Sequence, residues 1–168
     1  MNNIQEVDRI QSNPGSNTIP HNTHVDGNFL ITSYYRDGTT VHDITYPNNM
    51  IEVGYYDSYP GSGSGFDGNW GTYPFLPSGN IISSDINSGA NQSAKLLIYE
   101  RQFQQACYLE GTVTDANTTN AIASANIEIL TSSISTSTNI SGAYTSGIAN
   151  GGTYNILFSK PGYENKIL

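Results

Sequence analysis

Three histidines with aspartates close by are the residues in this sequence whose types match a catalytic metal site. His21 and His24 precede Asp26, and His42 is followed directly by Asp43. Zinc sites combine such nitrogen and carboxylate ligands. However, the sequence contains no HExxH motif and no histidine begins an HxxE, and on a strand His42 and Asp43 point to opposite faces. We therefore expect structural, hydrogen-bonded histidines and no bound metal.

Aspartates in the predicted strands and turns suggest a second kind of metal chemistry, because calcium prefers oxygen ligands. The sequence has no EF-hand spacing, and aspartate is also an ordinary turn residue. Calcium therefore stays an alternative to a simple turn role for these residues: Asp37, Asp43, Asp57, Asp67 and Asp85.

Nucleophilic catalysis has no signature in the sequence, which lacks a GxSxG motif. Cys107 is the single cysteine and has neither a histidine nor a cation in its local sequence, so we expect a buried structural thiol. Nothing points to the paired carboxylates of a glycosidase. We therefore predict that the protein is not an enzyme and needs no cofactor.

Aromatic side chains gather around a glycine-rich segment at residues 59–70, which lacks the GK[ST] ending of a phosphate-binding loop. Rings flanked by Asn, Asp and Ser can stack on sugar rings or anchor a protein partner. The alternative is that they pack between repeats and against the base of the loop. The candidate ligand-binding residues are Tyr56, Tyr59, Phe66, Trp70 and Tyr73.

Composition limits the partners that the chain can bind. Charged residues make up 12% of the 168 residues, and the formal net charge is −8. Nucleic-acid binding needs clustered basic side chains and membrane docking needs a basic face, so we expect neither. No apolar stretch is long enough for a transmembrane helix, so we expect no membrane insertion. A protein or a polysaccharide remains as the expected partner.

Tyr, Thr, Gly and Asn dominate the sequence, and this mixture favours strands joined by many turns. No run of helix formers shows helical periodicity, so we predict an all-β fold. The predicted strands lie within residues 4–11, 28–35, 39–44, 50–56, 79–85, 96–99, 109–115, 121–130, 135–138, 142–144 and 152–158.

The first part of the chain contains an internal repeat of blade size. The segment Gly27–Ser33 is echoed by Gly79–Asp85, and the turn Asp37-Gly38 by Ser88-Gly89. With Val41–Ile44 and Trp70–Asn80, these residues resemble the LVIVP repeat of choice-of-anchor B proteins. That resemblance covers residues 4–100 and implies the last blades of a propeller-like region.

The last part of the chain resembles a carboxypeptidase regulatory-like domain, which has a transthyretin-like β-sandwich fold. The resemblance rests on five elements in order: Gly111-x-Val113-x-Asp115, Ala125-x-Ile127, Gly142-x-Tyr144, Gly152-x-Tyr154 and Ser159-Lys160-x-Gly162-Tyr163. The family often has Asp where this chain has Asn139. The chain ends at Leu168, before the final strand that the resemblance implies.

These resemblances divide the chain into propeller-like blades at residues 1–100, a linker at 101–106 and a sandwich at 107–168. They imply a secreted or cell-surface bacterial protein with its export signal upstream of this sequence. We expect a non-catalytic structural or adhesion scaffold. The alternatives are a carbohydrate-binding module and an accessory domain of an exported peptidase or hydrolase. Sugar binding predicts that Trp70 and Tyr73, or Tyr144 and Tyr163, are exposed, whereas a scaffold role predicts that they are buried.

Overall fold

The computed structural model describes residues 3–86 and 94–168, and within them the chain is all-β. It divides into two compact units, Met1–Gln105 and Ala106–Leu168. The predicted turn at Ser88-Gly89 lies outside the described residues. Among the described residues there is no helix with the length and apolar character needed to cross a membrane.

The first sheet of the first unit is an antiparallel meander in the order β1-β2-β3-β4. Its strands are Pro20–Asp26, Phe29–Tyr34, Gly38–Asp43 and Ile51–Tyr56. A 3-10 turn at Tyr35–Asp37 connects β2 to β3, and Gly38 follows it with φ of 75°. A Cβ at Gly38 would lie 2.0 Å from the carbonyl oxygen of Tyr56, so only glycine fits this close approach.

The second sheet of the first unit has three antiparallel strands in the order β5-β6-β7. They are Asn69–Tyr73, Ile81–Asp85 and Lys95–Tyr99. Ile31, Val41 and Ile81 are buried together and so join the two sheets in one apolar core. Packing β5 against β1 and β2 brings the aromatic residues of these strands together.

The second unit contains two antiparallel sheets, which fit the predicted β-sandwich. One sheet pairs β8 (Cys107–Thr112) with β11 (Ala143–Ile148). The other has the order β10-β9-β12-β13. Its strands are Ser135–Ser137, Asn126–Ile129, Ile156–Ser159 and Lys166–Ile167. The buried apolar side chains of this unit include Ile122, Ala125, Ile127 and Ile129.

Three strand predictions need correction. Residues 4–11 form no strand and pair with no sheet, and the side chains of Ile4 and Val7 are exposed. β5 lies partly inside the segment that the glycine content marked as loop. The chain also forms β13, which pairs with β12, after the segment that was predicted to be its last strand.

Cys107 is exposed, so the prediction of a buried thiol is wrong. The residue begins β8, which pairs with β11 on one side within the described part of the chain. Alternate side chains of such a strand face outward. The local sequence shows the strand but not which of its two faces is covered.

Candidate functional site

Two β-bulges place aromatic side chains next to each other in the first unit. The register of β1 against β2 shifts between Pro20 and Asn22, which leaves His21 as the extra residue. The register of β5 against β6 shifts in the same way between Asn69 and Gly71, which leaves Trp70 as the extra residue. Bulges redirect side chains, and here the rings of His21 and Trp70 lie 4.9 Å apart with an interplanar angle of 34°.

The two bulges occupy corresponding places in the hydrogen-bond pattern. Just before the first bulge, the backbone N–H of Tyr35 donates to the carbonyl of Ile19. Just before the second, the N–H of Ile86 donates to the carbonyl of Gly68. The internal repeat seen in the sequence therefore extends to the backbone hydrogen bonds that set the directions of His21 and Trp70.

A second pair of rings lies further along the same two strands. The ring of His24 lies 6.3 Å from that of Tyr73 and 5.7 Å from that of Phe75. Asn22 fixes the strands between the two pairs, because its Oδ1 accepts from the Ser33 hydroxyl at 2.7 Å and from the Thr72 N–H at 3.4 Å. β1 and β5 thus hold both pairs at a defined spacing.

We call the exposed and half-exposed rings on β1, on β5 and in the segments on either side of β5 the aromatic seam: His21, His24, Phe66, Trp70, Tyr73 and Phe75. Phe66 joins it through the buried ring of Tyr35, whose centroid lies 5.3 Å from those of Phe66 and His21. The exposed fractions of the seam residues Phe66 and Trp70 are 69% and 48%, and that of Tyr73 is 46%. Such an exposed apolar surface is typical of a binding site.

The seam contains three of the five ligand-binding residues predicted from the sequence: Phe66, Trp70 and Tyr73. Tyr56 lies elsewhere, with its ring 5.3 Å from that of Tyr99. Tyr59 packs beneath the guanidinium of Arg36, which also pairs with Asp67. Tyr59 therefore helps to hold the glycine-rich segment.

Sequence reasoning missed His21, His24 and Phe75 as partners of the predicted rings. The two histidines were considered only as metal ligands, and Phe75 lies beyond the glycine-rich segment that drew attention to the other aromatics. No polar–apolar alternation marks β1, because its residues are mostly polar, and the bulge at His21 also shifts its register.

The predicted structural role of the histidines takes two different forms. His21 and His24 pack against rings, as described above. His42 is 3% exposed; its Nδ1 has no hydrogen-bond partner and its Nε2 lies 3.8 Å from Oε2 of Glu52. Burial lowers the pKa of His42 to about 4, so the side chain is neutral at pH 7. The expectation of a hydrogen-bonded histidine is therefore wrong for Nδ1 of His42.

Several of the aspartates considered as calcium ligands instead accept hydrogen bonds in turns or form ion pairs. Asp43 accepts from the backbone N–H of Thr45, and Asp57 accepts from that of Tyr59, each at 2.8 Å. Among the described residues, no three His, Cys, Asp or Glu side chains are placed to hold a metal ion.

The second unit contains a separate cavity of about 790 Å³. Tyr144, Phe158 and Tyr163 line it, together with Asp115 and Lys160. The rings of Tyr144 and Phe158 lie 5.8 Å apart, and Tyr163 is 48% exposed. Burial raises the pKa of Tyr144 above its ordinary value, so its hydroxyl stays protonated at neutral pH.

Residues 108–167 match the carboxypeptidase regulatory-like domain family, which confirms the prediction made for this part of the chain. That match does not extend to residues 4–100, where the choice-of-anchor B resemblance stays a prediction. No curated protein and no solved structure shows significant similarity to the chain.

Proposed function

We propose that this chain is a non-catalytic, extracellular carbohydrate-binding module that contacts a polysaccharide through the aromatic seam. The observation that carries the proposal is the exposure of Trp70 and Tyr73 on β5, since a scaffold role predicted that these rings are buried. A row of rings held by backbone bulges is a surface on which successive sugar rings can stack.

The surroundings of the seam favour a sugar over an apolar protein partner. Thr23 is exposed on β1, and the half-buried Asn22 lies between the two ring pairs. Neutral hydroxyl and amide groups beside aromatic faces suit a ligand that combines apolar ring faces with hydroxyls. The low content of charged residues, 12% of the chain, also suits a neutral ligand.

The two units have different parts in this proposal. We infer that the four-stranded meander of the first unit is a propeller-like blade that presents the seam from rigid strands. The second unit is an accessory domain of an exported protein, in keeping with the family match of residues 108–167.

The test is a fluorescence titration of the whole chain with a panel of soluble neutral polysaccharides. Trp70 is the single tryptophan, so its emission reports on the seam. We expect a saturable change with at least one polysaccharide, and about tenfold weaker binding for Tyr73→Ala, since tyrosine is enriched among the minority of contact residues whose truncation costs more than about 1 kcal/mol.

Tyr163→Ala is the matched control, because Tyr163 is equally exposed but belongs to the second unit. It should leave the titration unchanged. An emission that no polysaccharide alters, or equal losses from Tyr73→Ala and Tyr163→Ala, would contradict binding at the seam.

A further inference from the structure

The last strand of the second sheet, β7, has an open edge. It pairs with β6 on one side and, within the described residues, with no strand on the other. Edge strands are normally protected by charged side chains, proline or a bulge, because their backbone groups can pair with another chain. Residues 96–99 of β7 contain no charged side chain and no proline, and the register against β6 is regular. This edge is therefore suited to pairing.

The first sheet shows what the equivalent edge contacts. When the two sheets are aligned on their bulges, Ser33 and Ser84 correspond, because each lies opposite the residue after the bulge. Thr39, which lies opposite Ser33, then corresponds to Leu96, which lies opposite Ser84. β3 therefore corresponds to β7, and the far edge of β3 is paired with the antiparallel strand β4. An antiparallel strand is thus the expected occupant of the open edge of β7.

The hydrogen-bond ladder determines which backbone groups of β7 point to the open edge. The N–H of Ile86, just after β6, donates to the carbonyl of the residue just before β5, and this direction alternates along an antiparallel strand. Ser83 therefore points towards β7, where it lies opposite Leu97. The N–H and C=O groups of Leu96 and Ile98 consequently point outward.

The side chains of the same two residues are apolar and exposed. The exposed fraction is 69% for Leu96 and 65% for Ile98. Both side chains lie on one face of the strand, where Ile98 is opposite Ile82 of β6. Short uncharged strands with exposed apolar side chains tend to pair with other strands. The backbone and the side chains of β7 thus favour the same kind of contact.

β7 is complementary to a second copy of itself. In antiparallel pairing about a two-fold axis at Leu97, Leu96 of one copy lies opposite Ile98 of the other. Each such pair exchanges backbone hydrogen bonds through the groups that point outward, and its apolar side chains meet on one face. Lys95 then lies opposite Tyr99 of the second copy, so no like charges are placed against each other.

We propose that two copies of this chain associate through antiparallel pairing of their β7 strands, which joins the two β5-β6-β7 sheets into one continuous sheet. The contact is two-fold symmetric, so it uses the same surface of both copies and ends at a dimer. It uses no residue of the aromatic seam, so the association and the proposed polysaccharide binding are tested separately.

One consequence for function rests on the proposed polysaccharide binding. Tyr73 lies in line with Ile82 and Ile98 across the sheet, so the two-fold axis keeps the Tyr73 rings of both copies on the same face. With neighbouring strands about 4.8 Å apart, the two β5 strands lie about 24 Å apart across the continuous sheet. A long polysaccharide then contacts both seams and binds the dimer more tightly than the monomer.

The test is sedimentation of the whole chain from low micromolar to near-millimolar concentration. We expect a reversible shift from monomer to dimer as the concentration rises, because pairing of one short strand buries little area and gives a weak interface. Ile140→Lys is the matched control, since Ile140 is an exposed apolar residue of the second unit, and it should leave the shift unchanged.

Two double variants test the register of the pairing. Leu96→Lys with Ile98→Lys places like charges opposite each other and should weaken dimerisation at least about tenfold. Leu96→Lys with Ile98→Glu places each lysine opposite a glutamate, so it should dimerise at least about tenfold more tightly than the first double variant. Added salt should weaken this second dimer, because its attraction is electrostatic.

A proline variant separates strand pairing from simple apolar contact. Ile98→Pro keeps an apolar side chain but removes an N–H that points to the open edge, so it should weaken dimerisation. Denaturation followed by Trp70 fluorescence should change little, because this N–H takes no part in the pairing of β7 with β6.

Several results would overturn the inference. A chain that stays monomeric at every concentration has no such interface. Equal dimerisation of the two double variants, or wild-type dimerisation of Ile98→Pro, would mean that a different contact joins the copies. Open-ended aggregates in place of a dimer would also overturn it, because a two-fold contact closes.

Discussion

In the first unit, the space between the two sheets contains a hydrogen-bonded polar group beside the apolar core. The Asn69 amide is fully buried and donates to the hydroxyls of Thr39 and Ser83, each at 2.6 Å. In the second unit, most of the buried side chains are apolar, as in Ile127 and Ile129, although the buried hydroxyl of Thr138 donates to the carbonyl of Ile122. Both units pack antiparallel sheets, but buried polar side chains are more numerous in the first unit than in the second.

This difference has consequences for how each unit responds to change. Buried hydrogen bonds specify one geometry, and each partner left unpaired is costly. Apolar burial depends less on direction and more on volume. The first unit, with its bulges and polar interior, thus holds its surface rings in fixed directions, while the second unit depends on how completely its interior is filled.

The largest expected effect comes from removing apolar volume in the second unit. Ile127→Ala deletes a side chain that is 1% exposed and should lower the free energy of unfolding of this unit by about 2–5 kcal/mol. Hydrogen exchange of peptides from residues 107–168 measures this loss. Trp70 fluorescence during denaturation reports on the first unit and should not change. Similar destabilisation of both units would contradict their description as separate cores.

The next effect concerns the polar interior of the first unit and depends on pH. Burial lowers the pKa of His42 to about 4, from an ordinary value of 6.5. Between these values the unfolded chain binds a proton that the folded chain does not. Stability contributed by neutral His42 is therefore complete above pH 6.5 and is lost as pH falls towards 4, by at most about 3 kcal/mol.

Denaturation followed by Trp70 fluorescence across this pH range checks the prediction. Glu52 faces His42 and acts in the opposite direction, because its raised pKa makes the folded form bind a proton more readily. The useful quantity is thus the difference between wild type and His42→Gln, which lacks the titrating ring. If the two proteins lose stability in parallel below pH 6.5, protonation of His42 has no part in the acid response.

The strands of the first unit show how far the sequence predicts this fold. The alternation in residues 28–35, 39–44 and 50–56 identified β2, β3 and β4 to within a few residues. β1 was missed because its residues are mostly polar and the bulge at His21 breaks the period. In the second unit, the resemblance assigned to residues 107–168 is confirmed by the family match at 108–167.

The candidate sites were less predictable than the strands, for a physical reason. The sequence drew attention to Trp70 and Tyr73, but their partners His21 and His24 lie far away in the chain. Those contacts depend on two bulges and on the packing of β5 against β1.

The smallest expected effect concerns a surface turn of the second unit in which the side chain of Asn139 accepts hydrogen bonds. Oδ1 of Asn139 accepts from the N–H of Ser141 at 2.9 Å, the Ser141 hydroxyl at 2.7 Å and the N–H of Ala143 at 3.1 Å. Asn139 is exposed, so this hydrogen-bonded turn lies at the surface and not in the interior. A carboxylate, which is a stronger acceptor, would suit three donors.

Asn139→Asp should therefore stabilise the second unit by about 0.5–1 kcal/mol at neutral pH, and Asn139→Ala should destabilise it by about 0.5–1.5 kcal/mol. The gain from aspartate should disappear as pH falls through the pKa of the new carboxyl, because the protonated form loses its charge. Asp115 follows the same logic: hydrogen bonds from Thr118 and Asn117 lower its pKa. Hydrogen exchange of residues 107–168 measures both variants. If Asn139→Asp gives no gain in stability while Asn139→Ala causes a loss, the turn needs a hydrogen-bond acceptor at this position but not a charge.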